Sequence, residues 1–419
     1  MRVTVLGAAG EVGRSGFIVE SDGSRALLDY GVRMGREPVF PAHVRPKDVD
    51  GLVLSHAHLD HVGGAPMLYT GAGPAAYGTP VTLYLSELLL YDFLKISGQY
   101  LPFDGDSVQN LSESYRFKGY GEEFMIGKLA TTLYDAGHIP GSAITVLRDK
   151  ATAVYTGDMN TSKTYLLGGV DMPKLEPDVV ISESTYSYSD HASRPEEEAR
   201  FVETATAVVE SGGVFLVPSF AVGRSQEMAC ILYAHGFKGK RYMDGMALKT
   251  NRILLENGDY VRDWDFLSKA LGRVEYVKDW GTRRRAVEEP SVIISPAGML
   301  VGGASIFYNS KVAGDPKSAI GIVSFQVPGS PGRRLLETNE VKLDGKRYRK
   351  VSAAVHRFDF SSHLGRSELL DFFKHKISGS PKVLAVHGER EYGEAFVALL
   401  REEMGLDARV PELGETIEV

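Results

Sequence analysis

Cysteine is nearly absent from this 419-residue sequence, with Cys230 as the only one. One thiol excludes an intramolecular disulfide and suits a reducing compartment, so a cytoplasmic protein is expected. No Cys-x-x-Cys pair occurs, so a bound metal would have to be held by histidine and carboxylate. Long apolar runs are also missing. None approaches the roughly 20 residues of a bilayer-spanning helix, and the opening Met1-Arg2-Val3-Thr4-Val5-Leu6 lacks the apolar core of a secretory signal. No membrane association is expected. A basic excess is lacking too, with 47 Lys and Arg against 54 Asp and Glu and a net charge of −7. That balance does not advertise nucleic-acid binding. It does not exclude it, because cations can cluster locally and a bound metal adds its own charge. The remaining composition, 43% hydrophobic and 24% charged, is that of a soluble globular protein, and the length suits two cores.

What is present is concentrated in Ser55-His56-Ala57-His58-Leu59-Asp60-His61. Three of the 11 histidines and one carboxylate fall within six residues, after the apolar run Leu52-Val53-Leu54. The run predicts a buried strand, which puts the cluster at a strand's C-terminal end, where α/β folds place their sites. Imidazole and carboxylate are donors that suit zinc. His56 and His58 can reach one metal from one side, while Asp60 and His61 point toward a second position. A solvated turn with chance histidines is the bland alternative, and so tight a clustering argues against it.

Residues 2–6 predict a first strand. Gly7-Ala8-Ala9-Gly10-Glu11-Val12-Gly13 predicts a tight turn at the edge of the metal site, not a nucleotide loop, since no amphipathic helix follows it. Residues 16–20 and 25–29 predict a hairpin turning at Asp22-Gly23 and ending on Asp29. Residues 63–69 predict a helix, 81–84 a strand and 86–94 a helix. Strands at 129–134, 153–157 and 179–182 lead into His138, Asp158 and Glu183. From about residue 187 the pattern changes. Ser193-Arg194-Pro195-Glu196 predicts a helix start with a capping box. Apolar strands at 214–218, 292–295 and 320–324 then alternate with helices, as in a parallel sheet.

The His-x-His-x-Asp-His pattern resembles the signature of the metallo-β-lactamase superfamily, with His138 and Asp158 at its third and fourth motifs. The stretches Pro218 to Glu227 and Ser295 to Gly303 resemble the β-CASP domain. Glu183, His363 in Phe360-Ser361-Ser362-His363 and His387 fit the three motifs that this domain adds. The neighbours of His363 depart slightly from the pattern of relatives. The resemblance is to archaeal cleavage and polyadenylation specificity factor-like and ribonuclease J-like proteins, without N-terminal KH domains, and covers nearly the whole chain.

The resemblance implies an α/β fold: an αββα metallo-β-lactamase domain (residues 1–187 and 351–419) interrupted by a β-CASP domain with a parallel βα sheet (residues 188–350), the active site lying in the cleft between them. It implies two zinc ions per chain, one on His56, His58 and His138 and the other on Asp60, His61 and His387, bridged by Asp158. Asp29 would support the site without being a principal ligand. Glu183, His363 and Asp60 would be catalytic, His363 giving a proton to a departing sugar oxygen. The expected activity is hydrolysis of RNA phosphodiester bonds, endonucleolytic, 5′→3′ exonucleolytic or both. A histidine at 387 is typical of the RNA-processing branch. The alternatives are a DNA nuclease, which His387 opposes, a non-catalytic RNA-binding subunit, which the complete ligand set opposes, and a small-molecule hydrolase, which the long insert opposes. Arg224 and Ser305 are expected to contact RNA phosphates, although the glycines beside Ser305 would also serve plain turns. The basic runs 283–285 and 346–350 are expected on a solvated face. His43, His191, His235, His356 and His375 match no motif and are expected to be structural or exposed. Relatives often dimerise, so a homodimer is a further expectation.

Overall fold

Alternation with period two decides the first architecture. In the strand Phe17–Ser21, Phe17 and Val19 enter one apolar cluster and Ile18 another. In Ser24–Leu28, Ala26 and Leu28 join the first and Leu27 the second. Val179 and Ile181 of the strand Val179–Glu183 share the first cluster, while Val180 joins a third. Both faces of these strands are covered, which is why they read as continuous apolar runs. The computed structural model, which describes residues 1–35, 37–342 and 347–419, divides into two compact units.

The first unit comprises Met1–Lys163, Gly168–Asp190 and Ser362–Val419. It holds two seven-stranded sheets face to face, with the cluster of Val5, Phe17, Leu28, Leu133, Ile181 and Leu384 between them. The helix Pro80–Ser97 packs on the outer face of one sheet through Leu83, Leu90 and Phe93. The helices Arg366–Lys376 and Arg390–Met404 pack on the outer face of the other through Phe372, Phe373, Phe396 and Leu400. The layers are therefore α, β, β and α, as expected.

The second unit comprises His191–Ser361 and Thr164–Leu167. Its six-stranded sheet is parallel throughout, in the order Glu275–Tyr276, Lys240–Met243, Ser291–Ser295, Val214–Pro218, Ala319–Ile322, Ala354–Arg357. Residues 351–361, assigned in the sequence to the returning part of the first domain, thus carry the last strand of this sheet.

Local expectations met three corrections. Residues 81–84 are not a strand but the first turn of Pro80–Ser97. Thr79 caps that helix by accepting from the Thr82 N–H, and Pro80 occupies its first position, where no N–H is needed. Four apolar residues cannot by themselves distinguish a strand from a buried helix end. The helix predicted at 63–69 is the 3-10 segment Ala65–Tyr69. Ser193 does stand at the start of the helix Arg194–Glu210 but makes no side-chain cap. Lys346 of the second basic run lies outside the described residues.

Candidate metal centre

Strand ends deliver the site. Gly51–Val53 leads into the turn with His56, His58, Asp60 and His61. Leu129–Asp135 leads to His138, Thr152–Tyr155 to Asp158, and Lys382–Val386 to His387. Val179–Glu183 ends on Glu183, paired in register with Val386. The turn after Asp29 cradles the first histidine cluster: Tyr30 N–H donates to the His61 carbonyl at 2.9 Å and Val32 N–H to that of Leu59 at 2.9 Å. Only glycine fits at position 31, where a Cβ would stand 1.7 Å from the Asp60 carbonyl oxygen. The Ala8 carbonyl in the first glycine turn accepts from the His387 N–H at 2.9 Å, which places that turn at the edge of the site.

Two pockets result. In the first, His58 Nδ1 lies 3.2 Å from His56 Nε2 and 3.1 Å from His138 Nε2. Asp158 Oδ2 lies 3.6 Å from His56 Nε2 and 3.7 Å from His138 Nε2. In the second, Asp158 Oδ1 lies 3.3 Å from His61 Nε2 and 3.3 Å from His387 Nδ1, and Asp60 Oδ2 lies 3.3 Å from His387 Nε2. Donors at about 2.0–2.1 Å around a tetrahedral zinc stand roughly 3.3–3.4 Å apart, so both pockets have the right size. His61 Nε2, His387 Nε2 and Asp158 Oδ1 are buried and make no hydrogen bond. Buried polar atoms without partners are costly, and three around one point are what a cation would satisfy. The donors therefore fit metal ions.

Protonation agrees. Burial first, and then neighbouring imidazoles, push His56 and His138 well below the ordinary histidine range, and burial lowers His58 too. Burial works to raise Asp60 and Asp158, yet the surrounding histidines hold both below the usual carboxylate range. Neutral imidazoles and ionised carboxylates are the forms that bind metal. His61 is the exception: burial works to lower it, but Asp158 and Asp29 raise it well above the ordinary histidine range, so a metal ion would have to displace its proton.

Asp29 is fully buried and accepts from four groups. Ser55 N–H reaches Oδ1 at 2.7 Å, while Ser55 Oγ at 2.6 Å, Tyr155 OH at 2.7 Å and His61 Nδ1 at 2.7 Å reach Oδ2. His138 Nδ1 is held in the same way by the Ser362 carbonyl at 2.7 Å. Such partners fix the tautomer that leaves the other ring nitrogen free for metal. Asp29 and His387 both adopt left-handed backbone, with φ of 55° and 51°, a strain seen at sites whose surroundings over-determine them.

Beside the pockets, His363 Nδ1 bonds Glu183 Oε2 at 2.9 Å, and its Nε2 lies 4.0 Å from Asp158 Oδ2. Burial opposes protonation of His363, but Glu183 and Asp158 together raise its pKa to about 9 in the metal-free protein. Ser55, Tyr155 and Thr185 were not singled out in the sequence. Ser55 precedes the histidine cluster directly, which is the only signal it gave.

Nine of the expected residues converge in the first unit: His56, His58, Asp60, His61, His138, Asp158, Glu183, His363 and His387. Arg224 and Ser305 belong to the second unit. Ser305 is fully buried; its hydroxyl donates to the Gly302 carbonyl at 2.9 Å and accepts from Ala297 N–H at 3.1 Å, so it closes its own loop. Arg283 in the first basic run is spent on a bidentate pair with Asp244, at 2.7 and 2.9 Å. His191 pairs with Asp359 and His235 with Glu198, which is structural use.

An αββα fold with two His/Asp pockets sharing one carboxylate defines a metal-dependent hydrolase of the metallo-β-lactamase type. More narrowly, the chain belongs to the β-CASP branch of the metallo-β-lactamase superfamily. Residues 9–190 match the metallo-beta-lactamase superfamily, 225–335 the Beta-Casp domain and 348–411 the Zn-dependent metallo-hydrolase RNA specificity domain. The chain is 38% identical to RNase aCSPSF2 of Saccharolobus solfataricus, over 99% of this chain and 84% of that one. It is 33% identical to ribonuclease TTHA0252 of Thermus thermophilus over the full length of both. It is 32% identical to the transcription termination factor FttA of Pyrococcus horikoshii, over all of this chain and 71% of that one. A solved structure of a protein of unknown function from Enterococcus faecalis V583 shares the fold, with a TM-score of 0.63 over 99% of both chains at 15% identity.

Proposed function

We propose that this chain is a metal-dependent ribonuclease that hydrolyses RNA phosphodiester bonds. The carrying observation is Asp158, whose two oxygens face two separate donor sets while the His363–Glu183 pair stands beside them. His56, His58 and His138 would hold one ion, Asp60, His61 and His387 the other, and Asp158 both. We assign zinc, two ions per chain, from the donor chemistry and pocket size. When bound, such ions lower the pKa of water and stabilise charge on phosphate oxygens.

The side chains do the rest. His363, whose charged form Glu183 favours, donates the proton at Nε2 to the departing sugar oxygen. Glu183 orients that ring and keeps it charged. Its own Oε1 is fixed by Met159 N–H at 2.7 Å, and its Oε2 by Thr185 Oγ at 2.6 Å. We assign Asp60, about one third exposed, to orienting the attacking water. Asp29 keeps His61 in its ligand tautomer. His387 and the ribonuclease names of the relatives support RNA over DNA, and the filled ligand positions support catalysis over passive binding.

We further assign Arg224, half-buried at the start of the helix Arg224–Ala234, to RNA phosphates. Ser305 would act by holding the loop whose backbone N–H groups meet a phosphate. The same reading includes endonucleolytic or 5′→3′ exonucleolytic cutting, a cytoplasmic location and a homodimer. Among the described residues no helix is long and apolar enough to cross a membrane.

The test is incubation of end-labelled RNAs with the purified protein, untreated, chelated and zinc-restored. Cleavage lost on chelation and recovered with zinc is expected. Intact RNA under zinc restoration would overturn the reading.

A further inference from the structure

Four rings follow one another in the first unit. His363 stands 6.0 Å from Tyr186, Tyr186 stacks on Tyr188 at 5.9 Å and 23°, and Tyr188 meets Tyr392 at 4.2 Å and 32°. The turn that carries Tyr186 and Tyr188 is tied down. Ser187 Oγ donates to the Ser184 carbonyl at 2.8 Å and to that of Tyr392 at 3.1 Å. Ser189 N–H bonds the Tyr186 carbonyl at 3.2 Å, and the Ser189 carbonyl takes the Arg366 N–H at 3.0 Å. Yet the ladder is not a closed core, for Tyr188 is 41% exposed.

A fixed, partly open aromatic ladder that begins at a proton-donating histidine is a surface for a flat π-system. We propose that Tyr186, Tyr188 and Tyr392 stack the nucleobase of the nucleotide whose sugar oxygen departs at His363. This rests on the ribonuclease reading. The departing oxygen and the base share one sugar, so a base must hang within a few ångströms of His363, where the ladder starts. Neutral tyrosines give affinity that does not depend on releasing counterions, which suits a chain with a net charge of −7. Every base has a π-face, so the stack tolerates sequence while fixing the register of the strand at the cut.

The experiment measures equilibrium binding of short RNAs to the zinc-loaded His363→Gln protein, in which turnover should be about 10²–10⁴-fold slower. Adding Tyr188→Ala should raise Kd about 5- to 150-fold, the range of one base–aromatic stack, with little change across salt concentrations. An abasic nucleotide walked along the RNA should reproduce that loss at one position. At that position the abasic RNA and Tyr188→Ala should not add. Tyr188→Phe should bind like the parent, and Tyr188→Leu, which keeps apolar bulk without a π-face, should bind like Tyr188→Ala. Kd changes under about twofold, additive losses, or parent-like binding by Tyr188→Leu would overturn the proposal. If Tyr188→Ala does not fold, the Phe and Leu variants decide. Cleavage by the unmutated protein is scored separately. RNA that is bound with this pattern but never cut sinks the hydrolase reading alone, and RNA that is cut while binding ignores Tyr188 sinks the stack alone.

Discussion

Glu183 accepts a hydrogen bond from His363 at 2.9 Å, across 180 residues of sequence. The bond occupies Nδ1, so the second proton of the charged ring sits on Nε2, the atom that faces Asp158. A carboxylate on one nitrogen and a reacting centre on the other is the arrangement of an oriented general acid.

His363→Ala should therefore lower kcat by about 10²–10⁴-fold, the usual contribution of general acid catalysis. Zinc content and RNA affinity should hardly move. Glu183→Gln should shift the pH profile rather than abolish it. Glu183 raises the His363 pKa, so its neutralisation lowers that pKa and moves the alkaline limb of kcat to lower pH. In both proteins the limb should lie below pH 9, because bound cations offset Asp158. A kcat that is unchanged in His363→Ala at neutral pH removes the residue from the mechanism.

Metal content separates the two pockets. Protein purified without chelator should hold close to two zinc ions per chain by elemental analysis. His387→Ala should lose mainly one, because its ring faces only the Asp60 and His61 side. Full retention of both ions in that variant removes His387 as a ligand.

Six of the metal ligands were legible: His56, His58, Asp60 and His61 because they fall within six residues, and His138 and Asp158 because they follow predicted strands. Glu183, His363 and His387 were legible only through resemblance, since no local pattern joins residues some 200 positions apart. The groups that steady the ligands were not legible. Tyr155 reads as one more apolar strand residue, and only folding brings its hydroxyl to Asp29. The parallel sheet was visible in the βα alternation, but its last strand, Ala354–Arg357, was not: Ala354-Val355-His356-Arg357 is too short and polar to stand out. The helix Pro80–Ser97 had a readable start in Thr79-Pro80, which the apolar run after it obscured.

Asp29→Ala tests the support of the ligands. The change removes one buried carboxylate and leaves Ser55, Tyr155 and His61 Nδ1 without their acceptor. Loss of such a partner costs about 10–100-fold in metal affinity, and competition with a chelator should show a loss of that size. Tyr155→Phe removes one of the four donors and should cost less. Equal chelator resistance in Asp29→Ala and the parent would show that the carboxylate is dispensable.

Asp135, at the end of the strand that leads to His138, gives a pH-dependent prediction. Burial raises its pKa to about 6; the Gly137 N–H at 2.8 Å works against this and the nearby Asp171 adds to it. The folded value thus lies above the ordinary one of about 4. Protonated Asp135 favours the fold, so the contribution is fully present below about pH 4 and is lost as pH rises through 6. Asn carries no charge and still offers an oxygen to the Gly137 N–H. Asp135→Asn should therefore melt above the parent at pH 7.5, and the gap should close as pH falls toward 4. The metal ligands also titrate on that path, but they do so in both proteins and cancel in the difference. A gap that is absent at pH 7.5, or that widens toward pH 4, would show that Asp135 is ionised in the fold without penalty.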